Sequence, residues 1–163
     1  MKKIFCCAVM LCLIVPFSVS SNATMNSGKQ LLIGEAESEV LRETNKQRAS
    51  GKLNALTMNT TLSEVARRYV KIVADKNVLS HDIGGESIPK RLNKAGYKYQ
   101  KYGENLAAGK FSGIRAVEMW MGSSSHKKNI MNKDFTEIGI GVYKASNGEI
   151  FYCQVFGKPQ STK

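Results

Sequence analysis

The chain has little cysteine outside its first residues. Cys6, Cys7 and Cys12 lie in an N-terminal apolar stretch, and Cys153 is the fourth. If that stretch is removed as a signal peptide, no internal disulfide can form, so stability in an oxidising compartment must come from the core. Cys153 lies in the apolar run 150–156, where a buried small hydrophobic residue is favoured over an unpaired thiol that could join two chains.

No apolar run reaches the length of a helical membrane span. Met1-Lys2-Lys3 is a positive n-region, residues 4–17 are apolar, and Ser21-Asn22-Ala23 offers small residues to a signal peptidase. A span needs about 20 apolar residues, so a signal peptide over 1–23, cleaved before Thr24, is favoured over a retained anchor. We therefore predict a secreted, periplasmic or extracellular protein that does not span a membrane after cleavage.

Acidic residues are also scarce. The 13 Asp and Glu against 24 Lys and Arg give a formal charge of +11, or about +9 without Lys2 and Lys3. Such a chain is attracted to anionic envelope or host surfaces in a salt-dependent manner. The densest basic stretch, 90–101, is interleaved with tyrosines, which could stack bases, but a solvated helix end running into a strand is favoured, so no specific nucleic-acid partner is predicted.

Internal repeats, low-complexity segments and phosphate-cradling glycine loops are absent from the sequence. The 163 residues are 42% hydrophobic, which is enough for one domain with one packed core. We predict a flexible segment over 24–34, a domain over 35–157 and a tail over 158–163.

Apolar periodicity and turn signals predict the elements of that domain. The sequence predicts a helix from Ile33 to Ser50, a second capped by Thr60 or Thr61 and ending near Asn77, and a short third over 87–94. A strand over 97–107, broken at Gly103, precedes a helix capped by Ser112. The alternation from residue 137, the Asn147-Gly148 pair and the apolar run 149–156 predict an antiparallel hairpin with a type I′ turn.

The chain has two histidines, with one glutamate of interest between them. The phrases are Leu79-Ser80-His81-Asp82, Gly103-Glu104-Asn105-Leu106-Ala107 and Ser124-Ser125-His126-Lys127-Lys128-Asn129. Two imidazoles and a carboxylate can hold a metal or transfer protons. The spacing is too wide for one helical turn to align them, so only the tertiary fold could bring them together, and the alternative is two hydrogen-bonded structural histidines.

The ordered phrases resemble the CAP superfamily, whose SCP-type domain is shared by cysteine-rich secretory and plant pathogenesis-related proteins. The resemblance covers roughly 35–156, and its bacterial type is suggested by the Lys-Lys leader and the lack of disulfides. The matching residues are Asn45-x-x-Arg48, Leu56, Leu62-x-x-x-Ala66, Ser80-His81, Gly103-Glu104-Asn105, Val117-Glu118-x-Trp120, Ser125-His126-x-x-Asn129-Ile130 and Phe135-x-x-Ile138-Gly139-Ile140-Gly141.

The resemblance implies an α+β fold, a three-layer α-β-α sandwich around a largely antiparallel sheet. It also implies a cleft lined by His81, Glu104 and His126, in which the two histidines could bind zinc. The second acidic position of the family falls near Ser123 here, so the full set of four does not carry over. Glu118 is a weaker candidate that either turns toward the cleft or lies on a solvated face.

Three functions are compatible with these observations. The favoured one is a secreted module whose cleft binds a lipid, a sterol-like molecule or a peptide without turnover. The second is a metal-dependent hydrolase in which His81 and His126 hold the metal and Glu104 moves the proton. The third is a basic protein that adheres to an anionic surface, independently of the cleft. An enzyme is the less favoured class, because two histidines and one acid are a sparse set for catalytic zinc.

Overall fold

The computed structural model of the chain describes the backbone of residues 21–161 and the side chains of residues 33–161. It contains five helices and four strands in this part of the chain. In chain order they are α1 (Ser21–Ser50), β1 (Thr57–Met58), α2 (Thr60–Lys76), α3 (Ile88–Lys94), β2 (Tyr99–Gly109), α4 (Gly113–Gly122), α5 (Ser124–Ile130), β3 (Glu137–Lys144) and β4 (Ile150–Pro159). None of the helices in this range is long and apolar enough to cross a membrane.

The strands form one mixed sheet in the order β1-β3-β4-β2. The two pairings of β4, with β2 and with β3, are antiparallel, while the two-residue β1 runs parallel to β3. Helices α2 and α3 pack on one face of the sheet, and α1, α4 and α5 pack on the other. The predicted three-layer α-β-α sandwich with a largely antiparallel sheet is confirmed.

Strand β4 supplies both hydrophobic cores because it is buried on both faces. Phe151, Cys153 and Val155 point toward α2, whereas Tyr152 and Phe156 point toward α1 and α4. This strict alternation follows from the two-residue period of a strand. The continuous apolar run in the sequence is therefore the signature of a central strand with helices on both sides.

Glycines in β3 allow α2 to lie directly on the sheet. A Cβ at Gly139 would fall 2.0 Å from the carbonyl carbon of Leu62, and one at Gly141 would fall 2.4 Å from that of Ala66. The isoleucines that alternate with them face the other core. The predicted alternation of apolar and small residues thus reflects one face that packs side chains and one that packs against backbone.

Helix α2 begins and ends close to its predicted limits. The cap is Asn59 rather than Thr60 or Thr61: its Oδ1 accepts a hydrogen bond from the Leu62 amide at 3.0 Å. The helix ends at Lys76, and the C-cap Asn77 has a φ of 50°, in the left-handed region that asparagine tolerates. This end sends residues 78–87, including His81, across the sandwich toward strand β2.

Other predictions about local structure differ from the fold. Helix α1 includes residues 24–34, the segment that we predicted as a flexible lead into the domain. Strand β2 runs through Gly103 without a break, and β4 extends to Pro159, two residues beyond the predicted domain end. Residues 1–20 and 162–163 lie outside the described residues, and with them most of the predicted signal peptide.

The turn between β3 and β4 is longer than predicted. A type I′ turn needs positive φ at both Asn147 and Gly148, but of these two only Gly148 has it, at 83°. The loop is closed instead by hydrogen bonds from Gly148 to the Ala145 carbonyl at 3.0 Å and from Ala145 to the Glu149 carbonyl at 2.8 Å. The antiparallel hairpin itself is present.

Candidate functional site

Glu104 is the buried centre of the candidate site. It lies on the edge strand β2, and its side chain is 0% exposed. Each carboxylate oxygen has two neighbours: Oε1 lies 2.8 Å from His81 Nδ1 and 3.1 Å from Arg91 Nη2, while Oε2 lies 2.6 Å from Arg91 Nη1 and 3.6 Å from Cys153 Sγ. The carboxylate is therefore fully engaged by protein donors.

Arg91 is the partner that makes a buried carboxylate tolerable. Its side chain is 6% exposed and binds Glu104 through two nitrogens, the bidentate geometry that favours arginine over lysine. Its guanidinium carbon also lies 3.4 Å from the ring centroid of Tyr69 on α2, a cation–π contact. Breaking such a buried pair by removing one partner is costly, since it leaves an uncompensated charge.

The loop that carries His81 is held by the same two side chains. Arg91 Nε donates to the Glu86 carbonyl at 2.8 Å, and Nη2 donates to the His81 carbonyl at 3.2 Å. The Tyr69 hydroxyl donates to the Ser80 carbonyl at 2.8 Å and accepts from the amide three residues later in the loop at 3.2 Å. These hydrogen bonds fix the backbone of the loop, and the fixed backbone determines where the His81 imidazole lies.

The imidazole of His81 is oriented by Glu104. Because Glu104 accepts, we assign the ring proton to Nδ1, which leaves Nε2 as the nitrogen with a free lone pair. The side chain is 54% exposed, so Nε2 is open to a ligand. A carboxylate that fixes a histidine tautomer in this way serves equally in ligand binding, in metal ligation and in proton transfer.

His126 lies on α5, where it is half-buried. Its pKa is lowered, first by burial and second by the charge of His81. The neutral imidazole is therefore favoured, and the influence of His81 places the two rings within electrostatic range of each other. The structure brings His81 and Glu104 into direct contact, while the link of His126 to them is this longer-range effect of His81.

A chain of side-chain amides fixes α5 over the edge of β2. Asn129 Nδ2 donates to the Glu104 carbonyl at 3.1 Å and to Asn105 Oδ1 at 2.9 Å. Asn105 Nδ2 in turn donates to the His126 carbonyl at 3.2 Å and to Gln154 Oε1 at 3.1 Å. A Cβ on the glycine before Glu104 would fall 2.9 Å from Asn129 Oδ1, so the absence of a side chain there makes this close approach possible.

The edge of β2 is also covered by α4. The indole Nε1 of Trp120 donates to the Leu106 carbonyl at 3.0 Å. Together with the bond from Asn129 to the Glu104 carbonyl, it satisfies two carbonyls of the edge strand with side chains.

Glu118 does not take part in this arrangement. Its side chain is 50% exposed and forms an ion pair with Arg115 at 2.9 Å, one turn earlier on α4. Ser123, at the position where the family has its second acid, lies 3.2 Å from Ser125 through their hydroxyls. Of the two interpretations of Glu118, its contacts match the solvated face.

Sequence reasoning missed Arg91, Tyr69 and Cys153 as site residues. Arg91 was assigned to the solvated basic stretch, whereas it is buried while its basic neighbours are exposed. Cys153 is buried, as expected, and burial, followed by the charge of Glu104, raises the pKa of its thiol well above the usual value. The one sequence feature that sets Arg91 apart is its residue type, since it is the arginine among the lysines of the stretch 90–101 and arginine is favoured in buried ion pairs.

The residues of the site do not fit a catalytic zinc centre. Among the described side chains, those of residues 33–161, no group of three or more His, Cys, Asp or Glu is arranged to hold a metal ion. Glu104, the carboxylate nearest to His81, has both oxygens engaged by Arg91 and its neighbours and does not add a third ligand to the two predicted histidines. Two imidazoles are what the site offers, whereas catalytic zinc usually has three protein ligands.

Comparison with known proteins agrees with this architecture. The family model described as CAP, cysteine-rich secretory protein family, matches residues 41–156. The uncharacterized protein YkwD of Bacillus subtilis is 36% identical over 123 residues, which cover 75% of this chain and 47% of YkwD. This chain thus spans about half the length of that relative.

Two solved bacterial structures are similar to this one. An outer surface protein from Borrelia burgdorferi is 27% identical with a TM-score of 0.73, and the match covers 77% of this chain and 94% of that one. An extracellular protein containing an SCP domain from Bacillus anthracis is 31% identical with a TM-score of 0.72, and the match covers 77% of this chain and 41% of that one.

Proposed function

Since the chain belongs to the CAP, or cysteine-rich secretory protein, family, we propose that it is a ligand-binding module that works outside the cell and not an enzyme. The ligand we propose is a lipid, a sterol-like molecule or a peptide that places a polar group against His81 and His126. An extracellular location is part of this proposal, and the extracellular SCP-domain protein of Bacillus anthracis supports it.

The engagement of Glu104 is the observation that carries the proposal. A general base must present a free lone pair to the proton that it abstracts, and both oxygens of Glu104 already face donors on Arg91, His81 and Cys153. In this arrangement Glu104 positions His81 and does not move protons. His81 Nε2 then acts as an oriented acceptor toward a donor on the ligand.

Exposed apolar side chains beside His81 support an amphipathic ligand. Val78 and Leu79, three and two residues before His81, are 51% and 54% exposed. Burying apolar side chains of this size against a ligand is favourable by roughly 25 cal/mol per Å² of apolar surface. A ligand with an apolar part and one hydrogen-bonding group would use both features.

Fluorescence titration with dehydroergosterol, with dansyl-undecanoic acid and with a pool of tryptic peptides tests the proposal. We expect saturable binding of at least one probe, with loss of binding in the double variant His81→Ala, His126→Ala. The matched control is Asp82→Ala, Lys128→Ala, which changes exposed residues beside each histidine and should bind normally. Turnover of an ester or peptide substrate that disappears in Glu104→Gln would contradict the proposal and favour the hydrolase.

Zinc binding by His81 and His126 is a separate proposal. The effect of His81 on the pKa of His126 supports it, and a carboxylate on the ring nitrogen opposite the metal, as on His81 Nδ1, is an arrangement that metal-binding histidines commonly have. Calorimetric titration with zinc should give weak binding in the parent protein and none in His81→Ala, His126→Ala. Equal binding by both proteins would place the metal elsewhere.

A second candidate function, adhesion to an anionic surface, is favoured by a basic patch around Asp134. Lys101 bonds to Asp134, and this bond is the main reason that the pKa of Asp134 is lowered, with smaller effects from Lys158 and Lys133. Three lysines thus surround one acid. The fraction of protein that sediments with phosphatidylglycerol vesicles should then fall as salt is added. It should also fall when the three lysines are replaced by glutamine, and it should be unchanged in His81→Ala. Loss of vesicle binding in His81→Ala would exclude this candidate.

A further inference from the structure

A separate cavity lies between helices α2 and α3. Its volume is about 390 Å³, at the small end of the range of roughly 300–1,000 Å³ that small-molecule sites occupy. It is lined by side chains of α2 and α3 and by Glu86 from the loop between them. Neither His81 nor His126 lines it. It is therefore a different site from the one proposed around these two histidines, which we call the histidine cleft.

The wall formed by α2 has an apolar part beside Thr61, Glu64 and Arg68 of the same helix. Val65 and Tyr69 are buried core residues that also line the cavity, and Ile72 continues the same helical face. From the opposite side, Ala95 at the end of α3 completes an apolar surface. The cavity can therefore bury a short hydrocarbon chain or a single ring.

The charges at the rim leave one cation without a partner. Among the charged lining residues, Glu64 pairs with Arg68 at 3.7 Å, Glu86 pairs with Lys90 at 3.5 Å, and Arg91 is neutralised by Glu104. The remaining charged lining residue, Lys94, is exposed and forms no side-chain hydrogen bond or ion pair with another residue in the described part of the chain. A ligand that carries one negative charge would complete the pairing.

We propose that the cavity between α2 and α3 binds a small amphipathic carboxylate, with its apolar body against Val65, Ile72 and Ala95 and its carboxylate near Lys94. The proposal goes beyond the function of the histidine cleft, because the two sites use different residues. They share one element: Arg91 lines the cavity and also holds Glu104 and the His81 loop. An occupant of the cavity therefore contacts the residue on which the histidine cleft depends.

Octanoate is a suitable probe, with 1-octanol as an uncharged ligand of the same chain length. In ¹⁵N-labelled protein, we expect octanoate to shift the amide signals of Ile72 and Ala95 in a saturable manner, and octanol to bind less tightly. Lys94→Gln should weaken octanoate binding about two- to fivefold, the effect of losing one exposed charge pair, and leave octanol binding unchanged. Ala95→Leu should fill part of the cavity and weaken both ligands.

Lys98→Gln is the matched control, since Lys98 is exposed and carries the same charge but does not line the cavity. Octanoate binding that falls equally in Lys98→Gln and Lys94→Gln would overturn the proposal, because the effect would then be one of net charge. Saturable shifts confined to the ring of His126, or no saturable shifts around α2 and α3, would also overturn it. These outcomes are independent of whether the histidine cleft binds its own ligand.

Discussion

Replacement of Arg91 by methionine should destabilise the protein severely. Arg91→Met retains a long apolar side chain but leaves the Glu104 carboxylate, which is 0% exposed, without its cation. It also removes the hydrogen bonds to the Glu86 and His81 carbonyls. Loss of one partner of a buried pair costs about 3–5 kcal/mol, a large share of the roughly 5–15 kcal/mol that typically stabilises a domain.

Urea unfolding, followed by the fluorescence of the buried Trp120, measures this cost. For a slope of about 2 kcal/mol per M, the midpoint should fall by about 2 M. The double variant Arg91→Met, Glu104→Gln should recover much of the loss, because it removes the unpaired charge together with its partner. Lys90→Met is the control: Lys90 is exposed and pairs with Glu86 on the surface, so its loss should change the free energy of unfolding by less than about 1 kcal/mol.

A cost of less than about 1 kcal/mol for Arg91→Met would refute this account of the buried pair, and so would a double variant no more stable than the single one. Either result would mean that the buried Glu104 carboxylate does not depend on Arg91 for its stability. The inference that Glu104 is fixed as a positioning residue would then lose its support.

The packing and the charges of the site lead to three more expected outcomes. Gly139→Ala should destabilise the fold by about 3 kcal/mol or more, because its Cβ would overlap the α2 backbone, whereas Gly122→Ala, with open space around it, should leave the melting temperature unchanged or raise it. The pKa of His126, measured by NMR titration, should lie below its usual 6.5 and rise part of the way back in His81→Ala. Since burial lowers this pKa in the folded state, the protein should lose stability as the pH falls from about 6.5 through the lowered pKa. His126→Asn should reduce that loss. A dependence of stability on pH that is the same in the variant and the parent would contradict the assignment of this loss to His126. Peptide mapping should find Cys153 unreactive toward iodoacetamide in the folded protein and labelled after unfolding, and rapid labelling of the native state would contradict its burial.

The sequence was most informative where a local rule governs structure. The three-four spacing from Leu62 to Val73 predicted α2, and the apolar run in β4 predicted a buried strand, because each pattern repeats with the period of its element. The resemblance to the CAP family placed these elements in a sandwich. Local rules failed at the β3–β4 turn. There the strand register places Asn147 and Gly148 in a loop that is longer than the two residues of a type I′ turn.

The site was less predictable because its contacts join residues far apart in sequence. Arg91 belongs to a stretch whose other cations are exposed, and neither periodicity nor charge pattern distinguishes it from them. Its burial depends on Glu104, thirteen positions later, and on Tyr69 in a different helix. The helical spacing of Glu118 could not predict its position either, that is, whether it faces the cleft or the solvent. Its pairing with Arg115 depends on which face of α4 is packed against the rest of the fold.

The two margins of the sheet restrict how this protein can associate with others. Strand β1 has two residues, too few to template a neighbouring strand, and the β2 carbonyls of Glu104 and Leu106 are taken by Asn129 and Trp120. Addition of a strand from a second copy or an extended peptide is therefore disfavoured at β1 and at the part of β2 whose carbonyls are taken. At these two places a binding partner must recognise helices, loops and side chains, because the backbone of the sheet does not offer it a row of free hydrogen-bonding groups.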